Sequence, residues 1–398
     1  MRPTGAAPYV HVVIALAMLA LVACGSAPPT TSQPTAIPPE PTATAARATA
    51  TLPQATATAP PAMQEPASFA LSEPGTYYVG MRSFVSEDIS RDHRSIAITV
   101  RYPALRPQES TGRGATRDAP ADMSGAPYPL ILSSTKVASI FAPHLVTHGF
   151  TWASVDKLDY YVPWSTQLVM QPLDNLFALD QVASSSPEGL EGAIDAEHAG
   201  AIGYSFDGYN ALALSGARVD PEFYLAQCAS APSMEPALGS FWIDYYCRMS
   251  SGWSQFADLA GAAITASDDG LWHPMTDERI RAAMPMAPEG AWLFGERGLA
   301  AVDRPTLIIG ATEDVDCDYR REAAYIFDHL GTPDKALISF VGRDHMMVYE
   351  GTMVARMAHF ATAFFGYYLQ GRQDLEWYFS ADFVALYDDL AWGAYTGD

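Results

Sequence analysis

Polar and apolar residues alternate across positions 95–102, which puts Ile96, Ile98, Val100 and Tyr102 on one face. A period of two is the mark of a strand with one buried side, and Pro103 is expected to end it. Further along, the apolar segments change character. They become short unbroken runs at 130–132, 151–155, 199–203, 306–310 and 336–341, as suits parallel strands covered on both faces. Helix-forming stretches fall between them, at 143–148, 171–184, 209–217, 320–330 and 352–369. This alternation predicts an α/β domain over 67–398, a mostly parallel central sheet flanked by helices. One stretch breaks the rhythm. About 219–278 holds Phe223, Tyr224, Phe241, Trp242, Tyr245, Tyr246, Trp253 and Phe256, enough aromatic surface for a small helical cap.

The first 66 residues read differently. After Arg2 comes an apolar run at 10–22, broken only by His11, which is signal-peptide length and too short for a bilayer. It closes in Leu21-Val22-Ala23-Cys24-Gly25, which resembles a bacterial lipobox. That resemblance implies a lipoprotein signal peptide at 1–23, lipidation of Cys24 and a place in the bacterial cell envelope, outside the cytoplasm. Residues 24–66 are dominated by Pro, Thr and Ala, a composition that stays extended and acts as a tether. Lys and Arg number 23 against 45 Asp and Glu, a net charge of −22. Such a field repels phosphate backbones, so nucleic acid is not an expected partner, and the membrane is met only through the N-terminal anchor. Three cysteines remain besides Cys24. Cys228 and Cys247 share the aromatic insertion, where a local disulfide and a pair of buried thiols are both open; no Cys/His spacing suits a metal.

Candidate chemistry begins at Gly203-Tyr204-Ser205-Phe206-Asp207-Gly208, between an apolar strand and a helix-forming stretch. A serine on so sharp a turn projects its hydroxyl from the sheet edge. Asp207 stands where the second glycine of G-x-S-x-G is usual. Two further loops leave predicted strands: Ala311-Thr312-Glu313-Asp314 and Gly342-Arg343-Asp344-His345. The chain order Ser, Asp, His is that of α/β-hydrolases.

Longer stretches carry the same likeness: Gly75-Thr76-Tyr77-Tyr78-Val79-Gly80, Ser90-Arg91-Asp92-His93-Arg94, Val100-Arg101-Tyr102-Pro103-Ala104, Tyr128-Pro129-Leu130-Ile131-Leu132, Ile194-Asp195-Ala196-Glu197-His198 and Pro305-Thr306-Leu307-Ile308-Ile309-Gly310. Over most of residues 75–369 the chain resembles the dienelactone-hydrolase and platelet-activating-factor-acetylhydrolase-like group of α/β-hydrolases. The resemblance implies a serine esterase without cofactor, acting on a small or lipid-derived ester, with Ser205 as nucleophile, Asp314 as orienting acid and His345 as base. Asp316 and Asp318 are fallback acids. It also implies oxyanion donors on the backbone, one from Phe206 and one from the loop after 130–132. There Ser133-Ser134-Thr135-Lys136-Val137 replaces the usual His-Gly, so Lys136 and Val137 are the expected donors. The strand at 282–287 and Pro288-Glu289-Gly290 resemble the family's next strand and loop, which either meet substrate or merely turn the chain. Trp152 and Lys157 are candidates for the pocket wall. The departures at Asp207 and at Thr135-Lys136 also fit a different class, a catalytically silent hydrolase-like lipoprotein that binds a ligand or scaffolds.

Overall fold

A computed structural model describes residues 68–106, 114–156, 164–234 and 237–397. The signal segment, Cys24, the tether and Lys157 lie outside the described residues. The strands are β1 (Tyr78–Asp88), β2 (Arg94–Ala104), β3 (Thr116–Arg117), β4 (Tyr128–Ser134), β5 (Thr151–Asp156), β6 (Ile194–Tyr204), β7 (Ile280–Met286), β8 (Thr306–Ala311), β9 (Lys335–Phe340) and β10 (Leu390–Trp392). They form one sheet in the order β10-β9-β8-β7-β6-β4-β5-β2-β1-β3. From β5 to β9 every neighbouring pair is parallel, while β2 on one side and β10 on the other join antiparallel.

The helices are α1 (Thr135–Thr147), α2 (Gln167–Ser184), α3 (Phe206–Leu214), α4 (Pro221–Ser230), α5 (Ser240–Tyr246), α6 (Trp253–Ala260), α7 (Ala262–Thr265), α8 (Ala291–Leu299), α9 (Tyr325–His329), α10 (Gly351–Gln370) and α11 (Ala381–Val384). Alternate strand residues sort the two faces of the sheet. Ile131, Leu307 and Ile309 pack with Phe141 and Leu145 of α1 and Phe360 and Phe364 of α10. Leu130 and Leu132 face Ala178 and Leu179 of α2 with Ala211 and Leu214 of α3, and Ile308 packs with Ile326 of α9. Every residue of β4 and β8 is therefore buried, which is why both read as unbroken apolar runs.

Several expected boundaries move. Pro103 does not end its strand: β2 continues to Ala104, with Pro103 paired to Val79. The opposite neighbour, β5, covers only Ala97 to Arg101, so no ladder bond is asked of the missing N–H. Helix α1 starts at Thr135 rather than 143, and the expected oxyanion loop is its first turn. Pro143 sits inside it, although proline favours a helix start. Residues 320–330 divide into a π-turn at Arg320–Ala324 and the short α9. Trp152 is no pocket wall: it is fully buried, and its Nε1–H donates to Ser133 Oγ at 2.9 Å.

The insertion forms α4 to α7. Tyr224, Tyr246 and Phe256 are buried with Trp272 of the insertion and with Trp164, Tyr209 and Trp292 outside it, so these rings pack in one core shared with the domain. Cys228 and Cys247 are disulfide-bonded, Cα atoms 5.4 Å apart, and Cys317 is a free, buried thiol.

Candidate active site

Four chain segments leave parallel strands at the same sheet edge, and each carries part of the site. Ser205 follows β6 and opens α3 with φ 63° and ψ −129°, a conformation costly for a residue with a side chain. The neighbouring backbone holds it there: the Ser205 N–H donates to the Met286 carbonyl at 2.9 Å, and its carbonyl accepts from Gly208 at 2.8 Å. The turn is too tight for a Cβ at Gly203, which would stand 1.8 Å from the Asp207 carbonyl oxygen. The second close approach falls at Gly208, whose added Cβ would lie 2.7 Å from Pro288 Cα. A larger residue is thereby accommodated at 207.

His345 Nε2 lies 2.9 Å from Ser205 Oγ, and its Nδ1 lies 2.7 Å from Asp314 Oδ2. The other oxygen of Asp314 accepts the backbone N–H groups of Asp316 and Cys317 at 2.9 and 2.8 Å, so the carboxylate is fixed before it meets the ring. Asp316 and Asp318 are not in that position. Burial works against a charged imidazole, but the hydrogen bond and charge of Asp314, with Asp316 and Glu289 further off, raise the His345 pKa above its ordinary 6.5. Tyr204 reaches across to donate to the His345 carbonyl at 2.8 Å, tying the β6 and β9 exits together.

Of the expected oxyanion donors, Phe206 is the first residue of α3, and Lys136 and Val137 lie in the first turn of α1. N-terminal amides of a helix have no intrahelical acceptor, and the helix dipole makes that end partially positive. Ser134 Oγ donates to Asp207 Oδ2, which joins the starts of the two helices. Asn210 Nδ2 donates to the other oxygen at 3.0 Å. Asp207 is buried, and that burial pushes its pKa to about 6 against the pull of Ser134, Lys136 and Asn210.

A second buried cluster borders Ser205 on the side of the insertion. Cys317 Sγ is 3.8 Å from Ser205 Oγ and 3.7 Å from Glu289 Oε1. The Glu289 carboxylate accepts from Trp164 Nε1 at 2.7 Å and from the Tyr245 hydroxyl at 2.9 Å. The sequence offers one signal for this cluster, the position of Glu289 at a strand exit. Its partners come from distant segments and could not be named.

Among the described residues, one group has the composition of a metal site: Asp314, Cys317 and His345, with candidate atoms within 4.8 Å of one another. Asp314 already accepts two backbone amides on one oxygen and meets the imidazole with the other. Burial and the carboxylates of Glu289, Asp314 and Glu322 push the Cys317 thiol well above its usual range. The group is a hydrogen-bonded array. Compared with known proteins, the chain matches no family model and no curated protein.

Proposed function

We propose that this protein is a lipid-anchored, extracytoplasmic serine hydrolase of carboxylic esters, built on an α/β-hydrolase fold. The observation that carries the reading is the unbroken chain from Asp314 through His345 to a serine held at positive φ on a strand-to-helix turn. Ser205 Oγ attacks the ester carbonyl while His345 Nε2 takes its proton. Asp314 holds the tautomer with the proton on Nδ1 and stabilises the imidazolium. The imidazolium returns that proton to the departing alkoxide, leaving an acyl group on Ser205. Water then repeats the cycle on the acyl-enzyme, releasing the acid and restoring the serine. Backbone N–H groups of Phe206 and of Lys136 or Val137 receive the oxyanion, each worth about 3 kcal/mol in such sites.

A disulfide within the insertion agrees with an oxidising compartment, and the Cys24 motif supplies the anchor. No helix among the described residues is long and apolar enough to cross a membrane. The test is a fluorophosphonate probe applied to the full chain, with the labelled peptide mapped by mass spectrometry. Labelling on Ser205 that disappears in Ser205→Ala and His345→Ala is expected. A folded protein left unlabelled, or labelled equally in those variants, overturns the assignment.

A further inference from the structure

Glu289 occupies the turn after β7, directly against the nucleophile: its backbone N–H donates to the Ser205 carbonyl at 3.3 Å. Its side chain is 3% exposed, a place where a carboxylate is costly unless it is well supplied with donors. Three are aimed at it. The indole N–H of Trp164 reaches Oε2 at 2.7 Å, the Tyr245 hydroxyl lies 2.9 and 3.1 Å from the two oxygens, and the Cys317 thiol lies 3.7 Å from Oε1. An indole N–H can only donate, so Trp164 needs an acceptor oxygen here, and these donors favour the charged carboxylate against the burial that raises the Glu289 pKa. The neighbouring Glu322 is the contrasting case. It accepts from the Ala291 N–H, its Oε1 has no hydrogen-bond partner, and burial together with Glu289 pushes its pKa well up.

We infer that Glu289 is a positioning residue of the site: its buried carboxylate ties Tyr245 of the insertion and the Trp164 indole to the turn carrying Ser205, and its charge stabilises His345 when the ring takes up the serine proton. The inference rests on the esterase reading. The titratable groups that interact with Glu289 are Tyr245 and Tyr246 from α5, Cys317 from the loop after β8, Glu322 from the π-turn and His345 from the loop after β9. Of these only His345 is a cation during turnover, so the charge of Glu289 acts on it with no competing positive partner. Asp314 grips the ring at Nδ1; Glu289 adds a second negative charge through space, from the side of the insertion.

The test follows the rate of fluorophosphonate labelling at Ser205 against pH, in the full chain, with circular dichroism as the check on folding. In the wild type the rate rises as His345 loses its proton. Removing a nearby negative charge makes the imidazolium less stable, so Glu289→Gln moves the midpoint of that rise down by about one pH unit and lowers the plateau about tenfold. Glu289→Asp keeps the charge and returns the midpoint to the wild-type position. Tyr245→Phe keeps the carboxylate and loosens its anchorage, so the plateau falls while the midpoint stays. A folded Glu289→Gln protein with the wild-type midpoint overturns the inference. Should that variant not fold, Tyr245→Phe labelling at the wild-type rate overturns it equally. Wild-type protein that is not labelled at all counts against the esterase reading instead, which keeps the two failures apart.

Discussion

Asp207→Asn isolates the electrostatic consequence of placing a carboxyl where the strand-to-helix turn would usually have glycine. The side chain is buried, and that burial, opposed by Ser134, Lys136 and Asn210, moves its pKa from the ordinary 3.8 to about 6. The folded chain therefore binds the proton more tightly than the unfolded chain. Below pH 3.8 both states are protonated and no penalty exists. As pH rises through the gap the unfolded state ionises first, and stability is lost until pH passes about 6. A gap of about 2 pH units at ~1.36 kcal/mol per unit gives a full penalty of about 3 kcal/mol above pH 7, and about 1 kcal/mol at pH 4.5. The amide of Asn cannot ionise, yet it keeps an oxygen for Asn210 Nδ2 and presents its NH₂ group to the Ser134 hydroxyl, which can accept. The stability difference between variant and wild type should thus widen in favour of the variant by about 2 kcal/mol between pH 4.5 and 7.5. Urea unfolding followed by tryptophan fluorescence at the two pH values measures it. A difference that stays constant or narrows with rising pH refutes the reasoning.

Two other changes probe the frame of the site. Gly203→Ala sets a Cβ 1.8 Å from the Asp207 carbonyl oxygen, a backbone atom that cannot rotate away; a loss of at least about 3 kcal/mol is expected, read as a lowered urea midpoint. Cys228→Ser opens a crosslink between residues separated by 19 positions, for which chain entropy predicts a loss of about 3 kcal/mol. Faster proteolysis within the insertion, with the sheet still folded by circular dichroism, is the expected sign.

The parallel centre of the sheet was legible because burial on both faces leaves a signal in the residues themselves, as in 306–310. Strand β1 left a weaker one: Val85 is two-thirds exposed, and the strand is held by its pairing with β2 over the full length. Strand β10 is three residues long and exists only because it pairs with Phe340, Ser339 and Ile338. The start of α1 was hidden by its proline and by the absence of a side-chain cap. Ser134 has extended dihedrals suited to capping, but its hydroxyl is spent on Asp207. The Ser205, Asp314 and His345 array could be read from chain order because each residue leaves a recognisable strand. The Glu289 cluster could not, since Trp164 and Glu289 are 125 positions apart and nothing local marks them as partners.

The departures at 207 and 133–137, which look independent along the chain, meet in space. Asp207 brings a buried carboxyl into the opening turn of α3, and Ser134 brings a hydroxyl to the start of α1, where each satisfies the other. Without Ser134, Asp207 would lose one of its two side-chain donors in a buried setting, at a cost of about 1–3 kcal/mol. Without Asp207, Ser134 would be free to cap α1, and the two helix starts would have no such bridge. The departures are therefore one coupled feature, and it lies where both expected oxyanion donors are set. A site drifting out of use has no physical reason to keep that bridge next to an intact serine, histidine and aspartate. Under the esterase proposal, this hydrogen bond between side chains braces the frame that holds the expected oxyanion donors, where the G-x-S-x-G pattern would have glycine. The consequence can be separated from stability. Ser134→Ala should slow fluorophosphonate labelling by more than its loss of folding free energy explains at pH 7.5, where Asp207 is charged, and by less at pH 5, where the carboxyl holds its own proton. Equal slowing at both pH values would reduce the bridge to a packing contact.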